Sequence, residues 1–226
     1  MSSIRFEDVG HQFGERVVLS EVSADLRESR VGIIGSNGSG KSTLARMING
    51  LVHPTSGRVI VDDLEPAHHG AEVRRKVSFL FSDPDAQIVM PTVGEDIAFS
   101  LRRLSLGKTE VAERVESALE LVGLPGYADH PAHHLSSGQK QLLAMASILV
   151  TEPSILVCDE PTTLLDMRNT RRLAELLSGL SQQIILVTHD LDLIVGFERV
   201  LVIADGQLVA DGHGAESVAY YRKLMS

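Results

Sequence analysis

The chain of 226 residues has a single cysteine, no long hydrophobic run and no excess of basic residues. Cys158 has no second cysteine with which to form an internal disulfide, and the N-terminus MSSIRFEDVG lacks the basic and apolar regions of a signal peptide. No apolar run approaches the ~20 residues that cross a bilayer, so work at a membrane would need partner subunits that span it. These absences predict a cytoplasmic protein.

The charge balance is acidic, with 21 Lys and Arg residues against 30 Asp and Glu residues and a formal net charge of −9. Binding to nucleic acid relies on clustered Lys and Arg, so this composition argues against a nucleic-acid partner. We also find no internal repeat and no low-complexity linker. The sequence therefore predicts one compact domain covering residues 1–226.

The hydrophobic patterns predict an α/β fold. Alternating or apolar runs that predict strands lie at residues 3–13, 17–26, 30–35, 56–66, 76–81, 154–161, 182–190 and 199–212. The first two predict antiparallel strands, and the last predicts a hairpin that turns at Asp205-Gly206. Residues 92–150 have a helical pattern, which predicts an inserted α-helical subdomain. Ligands of such folds collect at the carboxyl ends of the strands.

A glycine-rich stretch, GSNGSGKST, lies between a predicted strand and a predicted helix, as the G-x-x-x-x-G-K-[ST] phosphate-binding loop requires. Its glycines allow backbone N–H groups to point inward, and the helix adds the positive end of its dipole. Lys41 would contact the β- and γ-phosphates of ATP, and Ser42 would ligate Mg²⁺. The core is thus predicted to be that of a P-loop NTPase. The predicted ATP-binding residues are Gly35, Ser36, Asn37, Gly38, Ser39, Gly40, Lys41, Ser42 and Thr43.

Polar residues follow two of the predicted buried strands. Asp159 is predicted to hold Mg²⁺ through its shell, and Glu160 to orient or polarise the attacking water. His189, at the end of the next strand, is predicted to donate a hydrogen bond to the γ-phosphate. Without the phosphate loop, the two acids would indicate only a solvated turn before Pro161, and the histidine a structural role. Cys158 is interpreted as a small core residue.

A second candidate phosphate-binding helix begins within LSSGQKQ, residues 135–141. The phosphate loop, this LSGGQ-type signature, ILVCDEP, TTLLD and LVTHD occur in the order found in the ATP-binding-cassette (ABC) transporter ATPases, and the chain resembles that family over nearly its whole length. The resemblance implies a head-to-tail dimer, either a homodimer or a pair with a related ATPase, that holds two ATP molecules between the phosphate loop of one subunit and the signature of the other. Signature residues completing the partner's site would be Ser136, Ser137, Gly138 and Gln139.

The resemblance assigns further roles and one departure. Ser137 stands where the family usually has glycine, and its hydroxymethyl group would either crowd the γ-phosphate or add a donor. Asp166 matches the loop that links the two sites across the dimer interface. Phe13 matches the aromatic residue that stacks on adenine, although a core role for it stays open. Residues 1–84 and 151–226 would form the catalytic core, and residues 85–150 the helical subdomain.

The stretch FLFSDPDAQIVMPTVGEDIAF, residues 79–99, is similar to the FQNPxxQ…TVxEDIAF pattern of energy-coupling-factor transporter ATPases. Ser82 occupies the position of the glutamine that touches Mg²⁺ and the attacking water in the family, and Gln87 matches a second glutamine. A serine hydroxyl reaches about 3 Å less far than a glutamine amide. A bridging water, which we favour, or an inward movement of Gln87 would have to restore this link. The alternative interpretation of 82–85 is a simple polar turn.

Residues 85–99 and the helical face after them are predicted to form a groove for a short helix of a membrane subunit. For Leu101 and Leu104, the sequence leaves a core role equally open. The histidine groups His68-His69 and HPAHH (130–134) lack supporting Cys or Glu at the usual ligand spacing, which favours solvated loops over a metal site.

These features predict an ATP-hydrolysing subunit of an energy-coupling-factor importer, on the cytoplasmic face of the cell membrane, with a vitamin or a metal ion as cargo. The chain ends soon after the predicted closing hairpin, as in the short cassettes of biotin uptake systems, which favours biotin. Two alternatives remain open: the ATPase of a conventional ABC transporter, and a nucleotide-gated regulatory module with little turnover, which Ser82 and Ser137 favour. A soluble cassette acting on ribosomes or DNA would normally be a tandem pair, and the acidic balance also disfavours it.

Overall fold

The computed structural model describes residues 2–226. Its helices and strands are, in chain order, β1 (Ile4–Phe13), β2 (Arg16–Leu26), β3 (Arg30–Ile34), α1 (Lys41–Ile48), β4 (Ser56–Val61), α2 (Pro66–Lys76), β5 (Val77–Leu80), α3 (Val93–Leu101), α4 (Lys108–Val122), α5 (Ser137–Leu149), β6 (Ile155–Asp159), α6 (Met167–Gly179), β7 (Gln183–Val187), β8 (Arg199–Ala204), β9 (Gln207–Gly212) and α7 (Gly214–Leu224).

The chain divides into two compact units. The first unit comprises Met1–Phe79, Ser154–Glu160 and Ser181–Ser226, and the second comprises Leu80–Pro153 and Pro161–Leu180. Residue 1 of the predicted domain lies outside the described residues. These units do not coincide with the division that the resemblance implied, because residues 80–84, 151–153 and 161–180, which it assigned to the catalytic core, belong to the second unit.

The first unit contains two sheets. The larger has six strands in the order β5-β6-β7-β3-β8-β9, and the smaller has three in the order β2-β1-β4. In the larger sheet β6, β7, β3 and β8 run parallel, and β9 pairs antiparallel with β8. In the smaller sheet both pairs are antiparallel. The predicted mixed sheet with antiparallel N-terminal strands is confirmed, as is the hairpin at Asp205-Gly206.

Register places the ends of three parallel strands at the same level of the larger sheet. Val187 in β7 pairs with Asp159 in β6 on one side and with Ile33 in β3 on the other. Every residue of β6 and of β7 is buried, which explains why both strands read as uninterrupted apolar runs ending in polar residues. The residues that follow these strands therefore emerge together at one edge of the sheet.

The second unit is built on helices. A capping box at Thr92 and Glu95 starts α3, and Gly123 with φ of 68° ends α4 in the left-handed conformation that glycine adopts most readily. Helix α4 buries one apolar face, formed by Val115, Ala118, Leu119 and Val122. Leu101 is buried at 1% exposure whereas Leu104 is 43% exposed, so only Leu101 is a core residue. Within residues 2–226, no helix has the length and hydrophobicity to cross a membrane.

Truncation of a buried leucine tests the packing of the second unit. Leu143 in α5 is 0% exposed, so Leu143→Ala should lower the free energy of unfolding by about 2–5 kcal/mol because it removes buried methyl groups and leaves a cavity. Leu121→Ala, at a site 52% exposed on α4, is the matched control and should change it by less than about 0.5 kcal/mol. Urea unfolding followed by circular dichroism measures both. Equal effects of the two substitutions would contradict the observed packing of α5.

Candidate active site

The phosphate-binding loop of the first unit connects β3 to α1 and has a backbone that requires glycine at two points. Gly35 has φ of 153°, and a Cβ there would lie 2.0 Å from the Ile203 carbonyl oxygen. Gly40 has φ of 105°, and its Cβ would lie 2.8 Å from the Val18 carbonyl oxygen. The loop can thus bend tightly in front of the α1 N-terminus, where backbone N–H groups and the helix dipole favour an anion.

Lys41, the first residue of α1, lies over this loop. Its Nζ donates to the carbonyl oxygens of Gly35 at 2.8 Å and Ser36 at 2.9 Å, and the side chain is only 6% exposed. Burial lowers the pKa of Lys41, and the carboxylates of Glu160 and Asp159 oppose that shift. The ammonium group is therefore held at the loop before any ligand arrives.

A buried carboxylate joins the end of β6 to the start of α1. Asp159 is 2% exposed; its Oδ1 accepts from the Ser42 hydroxyl at 2.7 Å, and its Oδ2 accepts from Arg46 Nη2 at 3.2 Å. Ser42 and Asp159 together offer hard oxygen atoms beside a phosphate loop. Because Mg²⁺ at nucleotide sites binds one or two protein oxygens and completes its shell with phosphate and water, this donor set fits that ion.

Glu160 and His189 form a second polar pair at the same sheet edge. Glu160 Oε2 lies 2.7 Å from His189 Nδ1 and 3.3 Å from the His189 backbone nitrogen. Glu160 also has φ of 51°, a conformation that non-glycine residues seldom adopt, and its N–H donates to the Val187 carbonyl at 2.9 Å. Strain of this kind is concentrated at functional sites.

Phe13, at the end of β1, is 58% exposed, so the core role that the sequence left open is excluded. Its ring packs edge-on against His11, with centroids 4.5 Å apart. His11 is buried, and within residues 2–226 neither of its ring nitrogens has a hydrogen-bond partner. Phe13 therefore offers a supported aromatic face to solvent, as stacking on a base requires.

The signature residues lie at the N-terminus of α5 in the second unit. Ser136 caps the helix: its hydroxyl accepts from the Gln139 N–H at 3.3 Å, and Gln139 Oε1 accepts from the Ser136 N–H at 3.0 Å. Ser137 is exposed at the first helical position. Gly138 is buried, and a Cβ there would lie 2.6 Å from Asn169 Nδ2 in α6. The N-terminus of α5 is thus a capped helix end at which the helix dipole favours a negative charge.

Asp166 caps α6 by accepting from the Asn169 N–H at 2.8 Å, and Ser82 is half-buried after β5. Gln87 Oε1 accepts from the Phe81 N–H at 3.3 Å, so its carbonyl group is engaged within the turn. Asp83 caps the short 3-10 helix Pro84–Ala86 by accepting from the Asp85 N–H at 3.0 Å. The polar turn predicted at 82–85 is therefore present.

A shallow groove of about 340 Å³ lies next to this turn, within the second unit. It is lined by Asp85, residues 88–91, Ala132 and His133. Val89 on its wall is 62% exposed, which leaves apolar surface open to solvent.

Comparison with known proteins agrees with this geometry. The model of the ABC transporter family matches residues 19–163. A putative ABC transporter ATP-binding protein of Deinococcus radiodurans is 51% identical over 99% of both chains. The biotin transport ATP-binding protein BioM of Rhizobium etli is 46% identical over 98% of this chain and 99% of its own.

The chain belongs to the ABC transporter ATPases. Among solved structures, cbiO1 of Clostridium perfringens, described as part of the ABC transporter complex cbiONQ, superposes with a TM-score of 0.86 at 30% identity, covering 98% of this chain and 92% of that one. The α/β P-loop fold with a helical subdomain, predicted from the sequence, is confirmed.

The first unit of this ABC ATPase brings together the phosphate loop, Asp159, Glu160 and His189, as the sequence predicted for the ends of neighbouring strands. Arg46 was not predicted, although it lies four residues after Ser42 and therefore on the same face of α1. The sequence predicted loops for both histidine groups, but His68 and His69 lie in helix α2. Across residues 2–226 no group of three or more His, Cys, Asp or Glu side chains is arranged to hold a metal.

Replacing Lys41 tests the phosphate loop of the ABC ATPase. Lys41→Met should weaken binding of a fluorescent ATP analogue by about ten- to a hundredfold, since it removes a charged donor from the cradle. Lys108→Met, at an exposed lysine in α4, is the matched control and should bind with unchanged affinity. Unaltered affinity in the Lys41 variant, with circular dichroism showing normal folding of both, would contradict the assignment.

Proposed function

We propose that this ABC ATPase energises an importer of the energy-coupling-factor type, and that two copies close around two ATP molecules. Hydrolysis then reopens the dimer, and the motion is passed to integral membrane subunits. The observation that carries the catalytic part is the gathering of Lys41, Ser42, Asp159, Glu160 and His189 at one sheet edge. In this proposal the protein works at the cytoplasmic face of the membrane.

In this proposal the residues of the first unit divide the chemistry of hydrolysis. The N–H groups of residues 35–43 and the Lys41 ammonium bind the β- and γ-phosphates and offset their charge. Ser42 and Asp159 would hold Mg²⁺, and the ion would neutralise charge on the phosphate oxygens. Glu160 orients the attacking water and polarises it by accepting a hydrogen bond from it. Phe13 stacks on the adenine.

The bond between Glu160 and His189 constrains the histidine's part. An ionised carboxylate only accepts hydrogen bonds, so the proton in the 2.7 Å contact lies on His189 Nδ1. In a neutral ring Nε2 is then an acceptor. To donate to a γ-phosphate, His189 must either carry a second proton or exchange its bond to Glu160 for one to phosphate. In both cases the histidine reports the presence of the phosphate to the residue that orients water.

Two features support the sandwich dimer. The chain carries both a phosphate loop and an exposed helix tip at Ser136 and Ser137, so two identical copies suffice to complete two sites by a two-fold arrangement. Ser137 at the first helical position adds a hydroxyl donor beside the N–H groups of that tip. Asp166 would face the same interface.

The groove beside residues 88–91 supports the membrane partner. Its apolar wall and its rim at Asp85 and His133 suit a short amphipathic helix laid across it. The relatives point the same way: the Rhizobium etli protein is a biotin transport ATP-binding protein, and the Clostridium perfringens protein belongs to a cbiONQ transporter complex. Biotin is the favoured cargo because the relative named for it matches nearly the whole chain.

Substitution of Glu160 tests whether the protein is an enzyme. Glu160→Gln should lower the rate of ATP hydrolysis by about 10²- to 10⁴-fold, because a neutral amide polarises the attacking water far less than a carboxylate does, and should give a stable ATP-bound dimer in gel filtration. Glu120→Gln, on an exposed face of α4, is the matched control and should hydrolyse ATP normally. Near-zero hydrolysis by the wild type and the Glu160 variant alike would instead support the regulatory module.

A charged substitution in the groove tests the importer. When the chain is produced with the integral membrane proteins encoded beside its gene, Val89→Asp should abolish co-purification and biotin uptake, because a carboxylate would be buried in an apolar contact. ATP hydrolysis by the isolated chain should be unchanged. Leu121→Asp, at a similarly exposed site outside the groove, should retain uptake.

Uptake assays with labelled biotin and labelled Co²⁺ decide the cargo. Transport of Co²⁺ alone would overturn biotin while keeping the importer. Absence of both co-purification and uptake in the wild type would overturn the importer itself.

A further inference from the structure

Residues 81–90, here named the coupling segment, are held to two helices of their own unit by side chains that the ATPase chemistry does not use. The donors and acceptors come from Asp96 in α3 and from Lys140, Gln141 and Ser147 in α5. All of these residues lie within Leu80–Pro153. The contacts occur at the start, the middle and the end of the segment.

At the start, Gln141 holds the backbone of Phe81. Its Nε2 donates to the Phe81 carbonyl at 3.2 Å, and the side chain is 1% exposed. Within residues 2–226 its Oε1 has no hydrogen-bond partner, so the buried amide of Gln141 uses its donor group but not its acceptor. The Phe81 N–H donates to Gln87 Oε1, which fixes the peptide on the other side.

In the middle, Lys140 forms an ion pair with the short 3-10 helix. Lys140 Nζ lies 2.6 Å from Asp85 Oδ1, and the lysine side chain is 19% exposed while that of the aspartate is 66% exposed. The two contacts from α5 are adjacent in sequence, at the residues directly after the signature.

At the end, Asp96 ties the segment to both helices. Its Oδ1 accepts from the N–H groups of Val89 at 2.8 Å and Met90 at 3.1 Å, and its Oδ2 accepts from the Ser147 hydroxyl at 2.9 Å. The carboxyl group is 3% exposed and has hydrogen-bond partners on both oxygens. A buried network with all its partners satisfied is rigid, so Asp96 holds the end of the segment to α3 and α5.

These contacts give the coupling segment a direct mechanical link to the signature tip. Helix α5 begins at Ser137 and carries Lys140 and Gln141 within its first two turns, so a displacement of the tip displaces both side chains. Ser82, after β5, has a shorter side chain than the glutamine that the family has at this position. Gln87 does not readily take the place of that glutamine, because its side-chain carbonyl accepts from the Phe81 N–H.

We propose that the coupling segment reports the ATP bound on the partner's phosphate loop, through the signature helix, rather than the ATP bound on its own loop. Lys140 and Gln141 are the positioning residues of this link. This inference rests on the proposed dimer. It says which ATP controls the groove at residues 88–91: the ATP in the site that the signature of the same chain completes.

An asymmetric dimer distinguishes control by the ATP on the partner's phosphate loop from control by the ATP on the chain's own loop. Both protomers carry Glu160→Gln to prevent hydrolysis. One protomer also carries Lys41→Ala, so its own loop is disabled while its signature is intact. The other carries Ser137→Asp, whose carboxylate opposes a γ-phosphate while remaining favourable at a helix N-terminus, so its signature is disabled while its loop is intact. Only one site, made of the second loop and the first signature, can then hold ATP.

Hydrogen–deuterium exchange with one protomer labelled with ¹⁵N reads the two coupling segments separately. With saturating ATP, the amides of residues 81–90 should exchange at least about fivefold more slowly in the Lys41→Ala protomer and remain unchanged in the Ser137→Asp protomer. Slower exchange confined to the Ser137→Asp protomer, or equal in both, would overturn the inference while leaving the dimer intact. Failure of ATP to form any dimer would overturn the sandwich proposal, and with it this inference.

Variants of Lys140 show whether the link is specific. Placed in the Lys41→Ala protomer, Lys140→Met should remove at least half of the ATP-dependent protection, and Lys140→Arg should restore it because it renews the ion pair with Asp85. Lys108→Met, at an exposed lysine outside the network, is the control. A thermal midpoint equal in all variants excludes a general loss of stability. Full protection in the Lys140→Met protomer would contradict the role of this pair.

Discussion

The common level at which β3, β6 and β7 end is the constraint on which the first unit depends. Because Val187 pairs with both Asp159 and Ile33, the chain leaves all three strands at one edge of the sheet. This register alone brings together the phosphate loop, Asp159, Glu160 and His189. The Asp159 carboxylate then fastens that edge to α1 through Ser42 and Arg46. A shift of one residue in the register of β6 would turn Asp159 to the other face of the sheet and break both bonds.

Much of this unit is predictable from the sequence because the determining interactions are local. A glycine-rich turn between an apolar run and a helix start predicts the phosphate loop by itself, and Gly35 and Gly40 occupy backbone positions that only glycine fits. The buried strands β6 and β7 are continuous apolar runs for the same physical reason that makes them central in the sheet.

The parts that the sequence did not predict depend on long-range contacts. Helices α2, α6 and α7 were not predicted, although the apolar periodicity of α6, which buries Leu173 and Leu177, is at least as clear as that of α4. The assignment of 161–180 to the helical unit follows from packing, such as the bond from Arg172 to the Gly123 carbonyl. Asp96 was visible only as part of an acidic motif, and nothing in the spacing indicates that its oxygens accept from Val89, Met90 and Ser147.

Gly138 of the signature illustrates how two demands can select one residue. A Cβ at this position would lie 2.6 Å from Asn169 Nδ2 in α6, so the Asn169 side chain would have to move to make room for it. A side chain at this position would thus disturb the contact between two helices inside one subunit, with or without nucleotide. Loss of transport in a variant at this position would therefore be ambiguous evidence for contact with ATP, whereas its exposed neighbour Ser137 carries no such internal obligation.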